Sequence, residues 1–301
     1  MARIEPQPLS RQVVYLPGGV NCALVLGDDD RAVVVDSGQD KDYGRNLRKA
    51  CEALGVTPVA IVNTHAHADH FGGNAYLLRQ FPEITVYAPP FEASIMRAPY
   101  LEPVYLFHGA RPPKELTSKW LQAEASPVHV ELEPGPMELA GVPFDVIDTS
   151  GHAHRQVALR VGDVLLAADA FFGDNVLDKY ALPFGQDIAG QLAALETVRS
   201  SGARVALPGH GDPSEDLEGS VDANRAAIEA AAEAVELACR GGGTEAVLAG
   251  ACEALGITLS DLPRYHLNLC TVSAYLTYLR ERGRVDVHLD AGALTWRRAA
   301  A

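Results

Sequence analysis

"NTHAHADHFGG", residues 63–73, sets three histidines and an aspartate into the six positions from His65 to His70. It follows the apolar β-branched run "VAIV" (59–62) and precedes the helical spacing of "FGGNAYLLRQF" (71–81). Loops that leave a strand and enter a helix are where α/β folds gather their ligands. In extended chain, His65 and His67 are two residues apart, project to the same side and can converge on one ion. Asp69 and His70 follow as the chain turns into the helix, and can face a second ion nearby. Imidazole nitrogens with a carboxylate suit zinc first, and iron or manganese as well. One loop cannot complete two such sites, so further ligands must come from elsewhere in the chain.

Three other segments offer them, each at the end of an apolar strand: His152 in "DTSGH", Asp169 in "LLAAD" and His210 in "LPGHG". Strand ends on one edge of a sheet can meet in space although distant in sequence. The set is then His65, His67, Asp69, His70, His152, Asp169 and His210, which uses five of the chain's ten histidines. A lone histidine is most simply a satisfied polar residue. Seven candidates of ligand type at four strand ends point instead to a metal centre.

With these residues in view, the chain resembles the metallo-β-lactamase-fold superfamily, whose signature is H-x-H-x-D-H followed by a distal His, a bridging Asp and a final His. The resemblance covers about residues 10–212. It implies that His65, His67 and His152 hold one metal ion, that Asp69, His70 and His210 hold a second, and that Asp169 bridges them. It also implies that Asp36, in "VVVDSG", supports the ligand loop from behind. The fold implied is α+β, a four-layer αββα sandwich with the site at one edge between two sheets. Many relatives read T-P-G-H-T-x-G-H around the third ligand, whereas this chain has Thr149-Ser150-Gly151-His152-Ala153-His154-Arg155-Gln156. His154 therefore competes with His152, which is preferred because it directly follows the Thr-x-Gly turn.

The remaining pattern accords with that architecture. "RAVVVDSG" (31–38) reads as a strand, "DYGRNLRKACEALGV" (42–56) as a helix ended at Gly55, and "TVYAP" (85–89) as another strand. Turns at Gly141 and at Gly162-Asp163 mark hairpins, and "IAGQLAALETVRSSG" (188–202) reads as a helix before the strand "RVALPGH" (204–210). We expect a catalytic domain over 1–213, with a lid-like insertion about 89–135 whose Met96, Tyr100, Tyr105 and Phe107 are candidates for lining a pocket. Beyond it, 214–301 reads as a helical extension: a long Ala/Glu helix (220–240) ended by Gly241-Gly242-Gly243, helices over 244–256 and 267–283, and a hairpin around Ala291-Gly292. Helices followed by a hairpin suggest a winged-helix-like module, in which Tyr265, His266 and Asn268 could reach the pocket.

Composition narrows the function classes. A formal net charge of −14 argues against a nucleic-acid or membrane-surface binder, which needs a basic footprint. A small local excess, six arginines against three acidic residues over 262–301, fits a cover for the pocket or a homodimer contact better than a DNA-binding surface. "MARIEPQPLSRQ" has no apolar signal core, and no apolar run reaches the ~18 residues of a membrane span, so a soluble, cytoplasmic protein is expected. The five cysteines form no C-x-x-C pair and read as reduced, buried thiols.

Two divalent ions, less two aspartates and a bridging hydroxide, leave about one net positive charge, which suits an anionic small-molecule substrate. Metal coordination lowers the pKa of water to roughly 7, so the expected reaction is hydrolysis by a metal-bound hydroxide, which the resemblance implies that Asp69 orients. The bridging Asp resembles that of glyoxalase II-like thioesterases and lactonases, and implies a small ester, thioester or lactone. The alternatives are a phosphodiesterase or nuclease of the same fold, and a persulfide dioxygenase with a single iron on His65, His152 and Asp169.

Overall fold

Strand patterning in the first half of the chain builds one side of a sandwich. The computed structural model describes residues 5–300. Its first sheet contains β1 (Gln7–Pro8), β2 (Val13–Leu16), β3 (Cys22–Leu26), β4 (Arg31–Val35), β5 (Thr57–Val62), β6 (Thr85–Ala88) and β7 (Val130–Glu131), in that spatial order. Pairing is antiparallel from β1 to β4 and parallel from β4 to β7. The second sheet, in spatial order reversed from the chain, holds β8 (Gly135–Leu139), β9 (Val142–Asp148), β10 (Val157–Val161), β11 (Val164–Ala168) and β12 (Val205–Pro208). Its hairpins β8–β9 and β10–β11 close through two residues each, at Ala140-Gly141 and Gly162-Asp163, as the turn signals predict.

Strands β2, β3, β4, β11 and β12 are apolar on both faces because both faces are covered. Val33 and Val35 of β4 pack with Phe144, Leu159 and Leu166 between the sheets. Val34 instead faces outward, with Leu24 and Ile61, against helices. Those helices are α1 (Lys41–Leu54), α2 (Ala68–Phe71), α3 (Asn74–Gln80) and α4 (Pro90–Arg97), followed by α5 (Leu101–Leu106). Asp40 caps α1 by accepting from Asp42 N, and Gly55 ends it in the left-handed region.

The opposite outer layer holds α6 (Asp174–Leu177) and α7 (Ile188–Ser200), then α8 (Leu217–Ala238), α9 (Thr244–Leu255) and α10 (Leu262–Glu281). Val235 of α8, Leu248 of α9 and Tyr275 and Leu279 of α10 join Leu195 of α7 and Leu165 of β11 in one apolar cluster. The C-terminal helices therefore pack against the same sheet that carries Asp169. A third sheet, β13 (Arg240–Gly242), β14 (Val285–Asp290) and β15 (Ala293–Arg298), follows the order β13-β15-β14. Among the described residues no helix is long and apolar enough to cross a membrane.

Local expectations are corrected at four places. The single helix over 71–81 is two, because Gly72 and Gly73 lie against backbone: a Cβ there would meet Gln39 O at 2.0 Å and Ser37 O at 2.2 Å. Gly241-Gly242-Gly243 does not simply stop α8; Arg240–Gly242 pair with β15 instead. The helix expected from 267 starts at Leu262, because Asp261 accepts from Arg264 N at 2.8 Å and Pro263 sits in the first turn. Met96 belongs to the core beneath α4, and β7 extends the first sheet, so the 89–135 stretch is partly scaffold. Four cysteines are buried thiols, as expected, while Cys270 is half-buried.

Candidate metal centre

Four chain segments end at one edge of the sandwich and bring all seven expected side chains together. His65, His67 and His152 present ligand atoms within 4.8 Å of one another, as do His65, His70 and Asp169, and Asp69, His70 and His210. Asp169 stands at the middle. Its Oδ1 lies 3.3 Å from His70 Nε2, and its Oδ2 lies 3.2 Å from His152 Nε2 and 3.4 Å from His210 Nε2. His152 Nε2 and His67 Nδ1 are 3.0 Å apart, and His210 Nε2 is 3.5 Å from Asp69 Oδ2. His154 lies outside these groups, its ring 5.1 Å from that of Phe91.

The far nitrogens of the rings explain how they are aimed. Asp36, 3% exposed, accepts from Thr64 N at 2.9 Å and Thr64 Oγ1 at 2.8 Å, and takes the Nδ1 proton of His70 at 2.8 Å. Thr64 spends its hydroxyl proton on Asp36, so at 3.0 Å His65 Nδ1 must be the donor to Thr64 Oγ1. His152 Nδ1 donates to Phe184 O at 3.1 Å, and His210 Nδ1 to Gly19 O at 2.7 Å. Each of these four rings thereby turns Nε2 toward the centre, the orientation that metal-ligating histidines share. His65 Nε2, His70 Nε2 and Asp169 Oδ1 are buried and have no hydrogen-bond partner among the described residues. Buried polar atoms are rarely left so. A nitrogen-rich set completed by carboxylates, with orphaned atoms all facing one point, fits divalent zinc, iron or manganese.

The electrostatics divide these rings into two groups. Burial, then the neighbouring imidazoles, hold His65 and His67 well below the ordinary histidine range, and burial lowers His152, so these three rings stay neutral and are free to offer a nitrogen lone pair. Burial opposes charge on His70 too, but the Asp169 and Asp36 carboxylates outweigh it and raise its pKa well above normal. At His210 burial is likewise outweighed by Asp169, and the pKa rises to about 9. Burial works against the Asp169 carboxylate, yet His210, His70 and His152 hold its pKa well below the usual range.

Supporting residues that sequence reading did not find come mostly from polar side chains buried behind the loops. Asn21 Nδ2 donates to Pro208 O at 2.9 Å and Gly211 O at 2.7 Å, which fixes the turn carrying His210. Ser37, Asn63, Asn74 and Ser126 form a buried hydrogen-bonded network behind the ligand loop. Gly209 lets the His210 turn approach Asp169: a Cβ there would lie 2.0 Å from Asp169 Oδ1. Asn and Ser are ordinary loop residues, and no spacing marks these ones.

A cavity of about 640 Å³ opens on the centre, with His67, Asp69, His152, Asp169 and His210 in its lining. Val20, Phe172, Tyr180 and Phe184 supply apolar and aromatic walls, and Lys119, Lys179 and Arg264 supply positive charge. The expected lid residues Met96, Tyr100, Tyr105 and Phe107 do not line it; Glu102, Lys119, Trp120 and Leu121 do. From α10, Asn268 lines the cavity as expected, together with Arg264, Leu267 and Thr271, whereas Tyr265 and His266 do not. Periodicity could place these residues on helices but not say which side of each helix faces the cavity.

Fold and site thus define a class, and comparison with known proteins agrees. The family model of the metallo-β-lactamase superfamily matches residues 15–210, and the chain belongs to that superfamily. A β-lactamase domain protein from Burkholderia ambifaria superposes with a TM-score of 0.74 at 20% identity, covering 98% of this chain and 93% of that one. A metallo-β-lactamase family protein from Thermus thermophilus gives 0.73 at 22% identity, covering 97% and 100%. Both cover the C-terminal helices as well as the sandwich. A hydroxyacylglutathione hydrolase from Xylella fastidiosa (strain M12) is 29% identical over 148 residues, 49% of this chain and 44% of that protein. One from Xanthomonas campestris pv. campestris (strain B100) is 43% identical over 68 residues, 23% of this chain and 25% of that protein. The chain thus matches less than half the length of these curated relatives.

Proposed function

We propose that this protein is a dinuclear metal-dependent hydrolase of a small ester, thioester or lactone. The observation that carries the reading is the convergence of seven ligand-type side chains, five of which line a substrate-sized cavity, with orphaned buried atoms among the seven. His65, His67 and His152 would hold one ion, and Asp69, His70 and His210 the other, with Asp169 between. Divalent ions bound there supply hydroxide near neutral pH and polarise the carbonyl under attack.

The chain's own residues do the remainder. Asp69 is about one-third exposed and faces the cavity, so its carboxylate can accept a hydrogen bond from the attacking oxygen and orient it. Phe172, Tyr180 and Phe184 exclude bulk water and give an acyl group an apolar surface. Burial pushes the Tyr180 phenol up to about 12, so it presents an O–H donor to the cavity at neutral pH. Lys179 and Arg264 place positive charge where an anionic tail would lie. The hydroxyacylglutathione hydrolase relatives support a thioester as the first substrate class to test.

The test is elemental analysis of protein purified without chelators or affinity nickel, with turnover of thioester, lactone and phosphodiester panels. Close to two zinc or manganese ions per chain with thioester or lactone turnover is the expected result. One iron per chain and oxygen uptake with a persulfide would overturn it in favour of dioxygenase chemistry. Turnover of phosphodiesters alone would move the reading to the phosphodiesterase branch.

A further inference from the structure

Glu92, in the first turn of α4, is 2% exposed. Buried glutamates are rare unless their charge is answered. Here both oxygens are answered by backbone: Oε2 accepts from Ala66 N at 3.0 Å, and Oε1 from Arg155 N at 3.0 Å. The two donors belong to different halves of the sandwich. Ala66 sits between His65 and His67, in the loop that leaves β5 of the first sheet. Arg155 is three residues past His152, in the loop that joins β9 to β10 of the second. A backbone bond from Val157 N, the first residue of β10, to Thr64 O, 3.1 Å, also joins the two sheets beside these loops. The carboxylate therefore grips each loop within three residues of its candidate ligands.

We propose that Glu92 is a positioning residue that sets the separation of the His65–His67 loop from the His152 loop, and with it the geometry of the ion these histidines would share. The inference rests on the proposed metal centre. A carboxylate suits the task because it presents two acceptors and no donor, so one rigid group can span two N–H donors on separate loops. Burial raises its pKa, and the two N–H bonds oppose that rise and favour the ionised form.

The experiment uses the full-length chain stripped of metal, with zinc titrated against a chromophoric chelator and guanidinium unfolding measured alongside. The variants are Glu92→Gln, which puts an amide N–H₂ against one backbone donor, and Glu92→Asp, which keeps the charge but is one methylene too short to reach both loops. Leu279→Ala, in the core of α10, serves as a control that destabilises without touching either loop. Expected are zinc affinities at one site about 10–100-fold weaker in both Glu92 variants and unchanged in Leu279→Ala. Affinities within twofold of wild type in a folded Glu92→Asp, or an equal loss in Leu279→Ala, would overturn the positioning role. A wild-type chain that takes up no zinc, manganese or iron would refute the metal centre itself, and this inference with it.

Discussion

Asp36→Asn is the sharpest probe of how the ligand loop is held, because the substitution keeps size and shape and changes only what the two terminal atoms can accept. Asp36 accepts three hydrogen bonds: Oδ1 from Thr64 N, and Oδ2 from Thr64 Oγ1 and His70 Nδ1. An asparagine has a single acceptor oxygen, so one of these positions must receive an N–H₂ donor. If the oxygen stays on Thr64 N, the amide nitrogen confronts His70 Nδ1–H, and relief requires the ring to carry its proton on Nε2. That atom is the one facing Asp169 at 3.3 Å, so an ion bound there would have to displace the proton. If the amide is reversed, the Thr64 backbone N–H loses its acceptor inside a buried loop. Either way one buried donor is left unmatched, at about 1–3 kcal/mol. Asparagine tolerates the left-handed backbone at this position, φ +53°, so no additional backbone strain is expected. Metal affinity at the His70 site should fall by about 10–100-fold, read by zinc titration of metal-free protein, with unfolding midpoints measured in parallel. A variant that binds two ions with wild-type affinity and unfolds at the wild-type midpoint would show that Asp36 does not hold the loop in this way.

Asp69→Ala should leave a folded chain with a weakened second ion and turnover reduced by about 10²–10⁴-fold, the range expected for loss of a group that handles a proton in the transition state; unchanged turnover excludes the orienting role. Gly209→Ala forces a Cβ to 2.0 Å from Asp169 Oδ1 and 2.8 Å from His70 Cε1, so metal content per chain should drop although the surface is unaltered; full metal occupancy would contradict the packing. In metal-free protein the pKa of His210 is raised to about 9 from 6.5, so its stabilising contribution is complete below pH 6.5 and is lost as pH rises through about 9. Zinc binding at pH 8 should accordingly release a proton from His210 as well as from His70, seen as a dependence of calorimetric enthalpy on buffer ionisation, which His210→Ala reduces. Trp120, 66% exposed at the cavity wall, contributes little to the core, so Trp120→Ala should raise KM several-fold with unfolding unchanged; equal KM values would place the substrate elsewhere.

The candidate ligands were legible in sequence because metal chemistry restricts residue types severely and because each candidate follows an apolar strand. H-x-H-x-D-H, then His152, Asp169 and His210, can be read without coordinates since strand ends gather at one sheet edge. Asp36 was legible only through the family resemblance. The choice of His152 over His154 agrees with the geometry: the preceding turn points His152 inward against Phe184 O, while His154 rests against Phe91. Glu92 and Asn21 escaped notice because an isolated polar residue carries no periodicity, and its burial is created by neighbours far away in the chain.

By itself the sequence determined the class of fold and the set of candidate metal-binding residues, since these depend on local pattern and on the donor atoms of side chains. Only the tertiary structure decided which ring nitrogen faces the centre, that Asp169 stands between the histidines, that one carboxylate ties two loops together, and that α10 shares the cavity wall with Glu102 and the 119–121 segment. Those outcomes depend on distances between segments that share no sequence neighbourhood, and packing of the two sheets and their helices sets those distances.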